Sequence, residues 1–301
     1  MPAAAIAIFG PTAVGKTGVA IELAALLRER GDDPVAIGCD SIQVYRGLEL
    51  LSGAPDAGER ERLEHRLVGI VDVGEEFSAG RFASLAHGEI DRALEAGRTP
   101  IVVGGTGLYM RAGLAELELR PPVPSAVRAE VEGEAERRGP AALHSELDPE
   151  LASGVHPNDR KRIVRLTELA RLGITPHAGG AGLWSARMRV PTRLVGITID
   201  RDQLRERLEA RVEAMFAAGV EEEVRTAEPH ASRTARAAIG FDEALAGDRD
   251  AMTAAQRRFA RRQLTWMRRM EDVTVVDRTG LGDAEAAARV LTAAGADAHA
   301  D

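Results

Sequence analysis

The sequence is sparing with several residue types, and each scarcity excludes something. Among its 301 residues there is one cysteine, Cys39, so a disulfide framework is ruled out and a reducing cytoplasm is the expected setting. Cys39 itself reads as a small apolar residue at a strand end. No run of about 18 apolar residues occurs, so no membrane span is expected. The first residues enter an apolar strand without a basic region or a small-residue cleavage site, so no export signal is expected. Lysine is the scarcest charge: 37 of the 39 basic residues are arginine, leaving only Lys16 and Lys161. A chain that uses arginine almost everywhere yet keeps a lysine at one loop position suggests that a compact ammonium is needed there, although Lys161 weakens the argument. The net charge of −8 argues against a uniformly basic nucleic-acid binder and leaves local patches open. What is present, 45% apolar and 29% charged residues, is ordinary for one large domain or two smaller ones.

The N-terminal third alternates strands and helices. An apolar run ending at Phe9 reads as a buried strand, and "TGVAIELAALLRERG" as a helix closing at Gly31. "PVAIGC" (34–39) is a second strand, "LVGIVDV" (67–73) offers a third, residues 78–97 form a helix, and "PIVVGG" (100–105) is another strand. This alternation implies an α/β fold, a parallel sheet with helices on both faces. After a proline-rich joint the pattern turns helical until about residue 182. Strand returns at 192–200, a long helix follows, and "DVTVVD" (272–277) closes the series before an alanine-rich helical tail. The simplest organisation is one core, 1–118 and 191–301, interrupted by a helical insertion at 119–190.

"GPTAVGKT", from Gly10 through Pro11, Thr12, Ala13, Val14, Gly15 and Lys16 to Thr17, matches G-x-x-x-x-G-K-[ST] between a strand and a helix. Backbone N–H groups and the helix N-terminus supply positive potential, Lys16 reaches terminal phosphates, and Thr17 can hold Mg²⁺. A phosphate-transferring enzyme would also show an apolar strand ending in aspartate to help hold that metal. The strand at 100–103 continues into "VGGTGLY", which offers Thr106 and no acid. The acid at a strand tip is Asp40, followed by Ser41. Ligands of open parallel sheets bind at the carboxyl ends of strands, so Asp40, Thr106 and the phosphate loop should converge. Asp40 could ligate Mg²⁺, cap the next turn or serve as a general base.

Two later helices carry arginine in unusual places. In "DRDQLRERLEARVEAMFAAG" a capping box is expected from Asp200 and Gln203. At about 100° per residue Arg211 falls within the Leu204–Leu208–Met215 stripe, with Arg207 at its edge. A structural salt bridge and a guanidinium clamp on pyrophosphate both explain such an arginine. In "TAAQRRFARRQLTWMRRM" a capping box is expected from Thr253 and Gln256. Arg257, Arg258, Arg261, Arg262, Arg268 and Arg269 share one arc, opposite Phe259, Ala260, Trp266, Met267 and Met270. Such an arc suits polyphosphate or nucleic acid, or a solvated face paired to glutamates.

Taken in order, "GPTAVGKT", "DSIQVYRGLEL", "HRLVGI", "FSAGRF", "VGGTGLY", "HPNDRKRI", "RLEARVEAM", "AIGFDEAL" and "RRFARRQLTWMRR" resemble the tRNA dimethylallyltransferases, also called tRNA isopentenyltransferases. The resemblance implies a P-loop NTPase-like core and a dimethylallyl group transferred from dimethylallyl diphosphate to the exocyclic amine of the tRNA adenosine 3′-adjacent to the anticodon. It implies Mg²⁺ as cofactor, the tRNA anticodon loop as partner, and a cytoplasmic protein; no membrane contact and a monomer are expected. Asp40 matches the family's general base, Thr106 a residue near the reacting centre, and Arg211 a ligand of the leaving diphosphate. Ser41, Ile42 and Gln43 match the loop that receives the extruded base. Arg128 and the segment Asp159, Arg160, Lys161, Arg162 and Ile163 match tRNA contacts in the insertion. One departure stands out: the family's glycine-threonine-alanine-lysine-proline run is replaced by "LSGAP", without its lysine. The rival readings are a phosphate-loop kinase for a small metabolite, a prenyltransferase for free adenine nucleotides, and a catalytically idle RNA-binding protein.

Overall fold

Alternation within the apolar runs determines how the strands are used. In β1 (Ala5–Phe9) every residue is buried. Ile6 and Ile8 enter one core while Ala7 and Phe9 enter another. A strand buried on both faces needs helices on both, which is the arrangement of a parallel sheet. The computed structural model describes residues 4–117, 121–174 and 187–295. Its strands are β1, β2 (Pro34–Cys39), β3 (Tyr45–Arg46), β4 (His65–Arg66), β5 (Val71–Asp72), β6 (Thr99–Gly104), β7 (Thr192–Thr198) and β8 (Thr274–Asp277). Six of them form one sheet in the order β4-β2-β6-β1-β7-β8, and every adjacent pair is parallel. β1 is central, with Ala7 registered against Val102 on one side and Leu194 on the other.

One face packs Ile6, Ile8, Ile101, Val195 and Ile197 against Val19, Leu23 and Leu27 of the helix Lys16–Glu29 and Val290 of the helix Asp283–Ala293. The other packs Ala7, Phe9 and Val102 with Phe82 and Ile90 of the helix Ala79–Glu95, Met110 of the helix Gly107–Leu114 and Met267 of the helix Arg249–Met267. This is the α/β architecture expected of the sequence, with the phosphate loop following the central strand. No described helix is long and apolar enough to cross a membrane.

The chain divides into two compact units, Met1–Leu117 with Gly182–Asp301, and Glu118–Ala181. The smaller unit is helical: Ser125–Arg138, Pro140–Glu146, Pro149–Ser153 and Arg160–Arg171 close around Val131, Leu143, Ile163 and Leu166.

Four expectations need correction. The insertion does not reach residue 190: Met188 and Val190 already pack on the larger unit's core, and Arg189 pairs with Asp91 at 2.7 Å. The run 67–73 is not one strand. Leu67 and Gly69 have positive φ (59° and 65°), which breaks the run between β4 in the main sheet and β5, which pairs with β3. The box at Asp200 does not close: its side chain accepts from Asp202 N and Gln203 N, while the Gln203 side-chain oxygen Oε1 accepts from Gly280 N instead of from the Asp200 N–H. Thr253 and Gln256 are not a helix start. Asp248, accepting from Ala251 N at 2.9 Å, caps a helix that begins at Arg249, and this draws both into the helix interior.

Candidate active site

The phosphate loop turns sharply after β1. Gly15, at φ 90°, occupies the N-cap of the helix Lys16–Glu29, and Ala13 is left-handed at φ 63°. That conformation is strained for a residue with a Cβ, and such strain gathers at ligand-binding loops. The Lys16 ammonium curls back to donate to Gly10 O at 3.1 Å and Pro11 O at 2.8 Å. Burial pushes its pKa down to about 8; Asp40 pulls it upward and Arg211 pushes it down again. Burial likewise lowers the Arg211 guanidinium, which Asp40 partly restores. Two poorly solvated cations at one site call for an anion between them.

Asp40 stands one residue past the end of β2 and does two things at once. Its Oδ1 accepts from Ile42 N at 2.9 Å, which caps the turn. Its Oδ2 accepts from the Thr106 hydroxyl at 3.5 Å and is otherwise turned to the cavity. Thr106 is the N-cap of the helix Gly107–Leu114 but gives that helix no side-chain bond, which leaves its hydroxyl for Asp40 and for Ser41 N at 3.3 Å. One oxygen caps the turn and the other faces the cavity, so capping does not exclude a second use of Asp40.

Among the described residues no carboxylate is bonded to Arg211. Its single hydrogen bond among the described residues runs from a terminal nitrogen to Ser52 O at 3.0 Å, and its Nε is buried without a partner. Among the described residues the structural salt bridge considered from the sequence is absent. Gln43 donates to the next carbonyl, Gly53 O, at 2.9 Å. Gly53 suits this place on two counts: its φ is 58°, and a Cβ there would lie 2.2 Å from the Arg211 guanidinium and push it from its present position. The run "LSGAP" thus acts through its backbone carbonyls, which need no lysine. The short helix before it, Glu49–Ser52, is held from its other end by Glu223, which accepts from Leu50 N and Leu51 N at 2.7 and 2.8 Å. Burial pushes the Glu223 carboxyl up, against the downward pull of those two bonds.

Other site residues escaped the sequence reading. Gln263 accepts from Thr12 N at 2.7 Å and donates to Gly105 O at 2.9 Å, tying the phosphate loop to the end of β6. Gly105 is what lets it approach: a Cβ would lie 2.2 Å from the Gln263 amide. Arg278, 2% exposed, donates to Val14 O at 2.9 Å and pairs with Asp283 at 2.8 Å, while Arg207 approaches the same Val14 carbonyl. Gln256 and Gln263 lie seven residues apart on the buried arc of their helix, and a polar side chain on an apolar arc was the available signal. Arg278 had none; it follows a strand like any surface arginine.

The phosphate loop, Asp40, Thr106, Arg211 and Gln263 line one cavity of about 730 Å³. It gathers Thr12, Ala13, Gly15, Lys16, Thr17, Asp40, Ser41, Ile42, Gln43, Thr106, Arg207 and Arg211, while Gly10, Pro11 and Val14 lie behind the loop surface. The Thr17 hydroxyl lines the cavity and makes no hydrogen bond among the described residues. A free hydroxyl beside a phosphate loop fits Mg²⁺, which takes one or two protein oxygens and completes its shell with phosphate and water. Among the described residues no cluster of three or more His, Cys, Asp or Glu could hold a metal without such a ligand.

The expected contacts in the smaller unit differ in availability. Arg128 bonds Glu168 at 3.1 Å, and Glu168, 2% exposed, also accepts from Arg165. Asp159 caps the helix Arg160–Arg171 by accepting from Arg162 N at 3.2 Å. Arg160, Lys161 and Arg162 are exposed, whereas Ile163 is fully buried in the helical core and has no side-chain surface to offer. On the Arg249–Met267 helix, Arg257 pairs with Glu209 and Arg262 stacks on the Phe259 ring at 5.6 Å. Arg258 and Arg261 are exposed with no carboxylate partner among the described residues.

The chain matches the family model described as IPP transferase over residues 43–270 and the one described as isopentenyl transferase over residues 3–69. It is 41% identical over 286 residues to a tRNA dimethylallyltransferase of Anaeromyxobacter dehalogenans, covering 89% of this chain and 91% of the relative. Among solved structures it is similar to the full-length tRNA isopentenylpyrophosphate transferase of Bacillus halodurans, at a TM-score of 0.69 and 31% identity over 97% of each chain. A eukaryotic dimethylallyltransferase acting on tRNA shares the fold at a TM-score of 0.74 and 24% identity, over 96% of this chain and 78% of that one.

Proposed function

The chain belongs to the IPP transferase family, and from that premise we propose that it transfers a dimethylallyl group from dimethylallyl diphosphate to tRNA, at the exocyclic amine of the adenosine 3′-adjacent to the anticodon. One observation carries the chemistry: Asp40, whose Oδ2 accepts only from Thr106 among the described residues, shares a cavity with the poorly solvated Lys16 and Arg211, and no acid follows β6 to serve phosphoryl transfer.

The diphosphate lies on the N–H groups of the phosphate loop between Lys16 and Arg211. The flipped adenine enters against Ser41, Ile42 and Gln43. Its amine attacks the allylic carbon as the carbon–oxygen bond to diphosphate breaks, and Asp40 Oδ2 takes the amine's proton. Thr106 holds that carboxylate in aim. Charge developing on the leaving diphosphate meets Lys16, Arg211 and the loop's N–H groups, which are already oriented and need no rearrangement. Thr17 would hold Mg²⁺, whose positive charge further neutralises the diphosphate oxygens. Arg128 and exposed residues of the 159–163 segment contact tRNA phosphates. The enzyme works as a cytoplasmic monomer.

The test is incubation with labelled dimethylallyl diphosphate and bulk tRNA, followed by nucleoside analysis. Label in a prenylated adenosine from tRNA is expected. Label captured by AMP in preference to tRNA would favour a free-nucleotide enzyme, and ATP consumption without prenyl transfer would favour a kinase.

The exposed arginines of the Arg249–Met267 helix, Arg258, Arg261 and Arg262, support a reading in which this face also meets the RNA backbone. Replacing Arg261 and Arg262 together by glutamine is expected to reduce the slope of log affinity for tRNA against log salt by about one unit per lost contact. An unchanged slope would remove this face from the interface.

A further inference from the structure

Gln256 is a polar side chain with nothing to bond. It is 4% exposed, lines the cavity and makes no hydrogen bond among the described residues. Gln263, two helical turns further on, spends both ends of its amide on backbone groups. Its amide atoms are open to the cavity and not sealed in the core, so a ligand entering there can take up the bonding that no protein group supplies.

Its neighbours define that ligand. The Arg257–Glu209 ion pair and the packing of Ala260 on Leu208 set the register of two helices, Arg249–Met267 and Arg201–Ala217. That register brings Gln256 level with Ala210 and Arg211, and all three line the cavity. Arg211 has a buried Nε that nothing accepts, and Arg207 lies one turn away. The cavity also holds carboxylates, Asp40, Glu59 and Asp283, which an amide N–H₂ could meet, yet none of them is bonded to Gln256. A donor beside unsatisfied guanidinium donors suits a ligand made of acceptors only.

We propose that Gln256 is a donor-binding residue, whose side-chain amide donates to an oxygen of the substrate diphosphate beside Arg211. This rests on the reading of the cavity as a diphosphate site. Gln256 supplies neutral recognition that neither shifts with pH nor adds to the cationic crowding around Lys16.

The experiment compares Gln256→Met, close in shape without the amide, and Gln256→Glu, close in shape with an acceptor in place of the donor. Inorganic pyrophosphate binding is measured by titration calorimetry. The Met variant should bind about tenfold or more weakly, as expected for a lost hydrogen bond to a charged group, and the Glu variant more weakly still. The melting temperature of the Met variant should not fall, because no internal bond is lost, and tRNA affinity should stay unchanged. In turnover, KM for dimethylallyl diphosphate should rise with little change in kcat. Equal pyrophosphate affinity in wild type and Met variant overturns the inference alone, as does a loss confined to tRNA binding or a lowered melting temperature with pyrophosphate binding intact. A wild type that binds no pyrophosphate overturns the diphosphate site and this inference with it.

Discussion

Replacing Asp40 by asparagine is expected to slow prenyl transfer by about a hundred- to ten-thousand-fold, the usual contribution of a positioned general base. Affinity for tRNA and for the donor should stay within a few-fold of wild type. The substitution is chosen for what it retains: an amide oxygen can still accept from Ile42 N, so the turn after β2 keeps its cap. It removes only the capacity to take a proton. Asp40→Ala would also release the Ile42 N–H and mix a folding defect into the result. Single-turnover rates with both ligands saturating are the measurement. Near-normal turnover in the asparagine variant would make Asp40 a turn residue and nothing more.

The second large effect has opposite signs on activity and stability. Lys16→Met should abolish measurable donor binding while raising the melting temperature at pH 7. The folded protein holds the ammonium at a pKa of about 8, against an unperturbed 10.5. Between those values the unfolded chain binds more protons than the folded one, so this group's contribution to stability grows as pH rises from 8 to 10.5 and is lost as pH falls through 8. At pH 7 the native state carries the full penalty of a buried charge, and methionine relieves it. The melting temperature should rise by roughly 2–4 °C for each kcal/mol relieved. The gap between the two proteins should close above pH 8. Donor binding in the wild type follows the same group: affinity should be level up to about pH 8 and then fall about tenfold per unit, because the diphosphate selects the ammonium. Calorimetry across pH 7 to 10 with dimethylallyl diphosphate alone checks this. A flat profile to pH 10 would mean that Lys16 is not the residue that meets the diphosphate.

Much of this site was legible in the sequence because its chemistry lies in contiguous runs at strand ends. "GPTAVGKT" and "DS" follow apolar strands, and a parallel sheet brings such ends together. The long, periodic elements were legible for the same reason: a strand buried on both faces has few other uses. Short elements were not. Two-residue strands such as β4 and β5 leave no period to read, and the positive φ of Leu67 depends on what packs around it. The helix start at Arg249 was hidden by a competing signal, since Thr253 and Gln256 spell a capping box that Asp248 pre-empts five residues earlier. That misreading also concealed Gln256 as a cavity-lining amide. Residues such as Gln263, Arg278 and Glu223 act on backbone groups more than 150 positions away, and no local pattern encodes a partner at that distance.

Those long spans also set the order in which the protein can mature. The phosphate loop is made within the first 17 residues, yet Thr12 N waits for Gln263, 251 positions on, and Val14 O for Arg278, 264 positions on. β1 gains its second neighbour only when β7 emerges. On the ribosome, the loop therefore remains an unbraced turn until almost the whole chain is made. A chain cut short before Gln263 keeps its entire phosphate motif and lacks the clasp that shapes it, so donor binding is a property of the finished molecule.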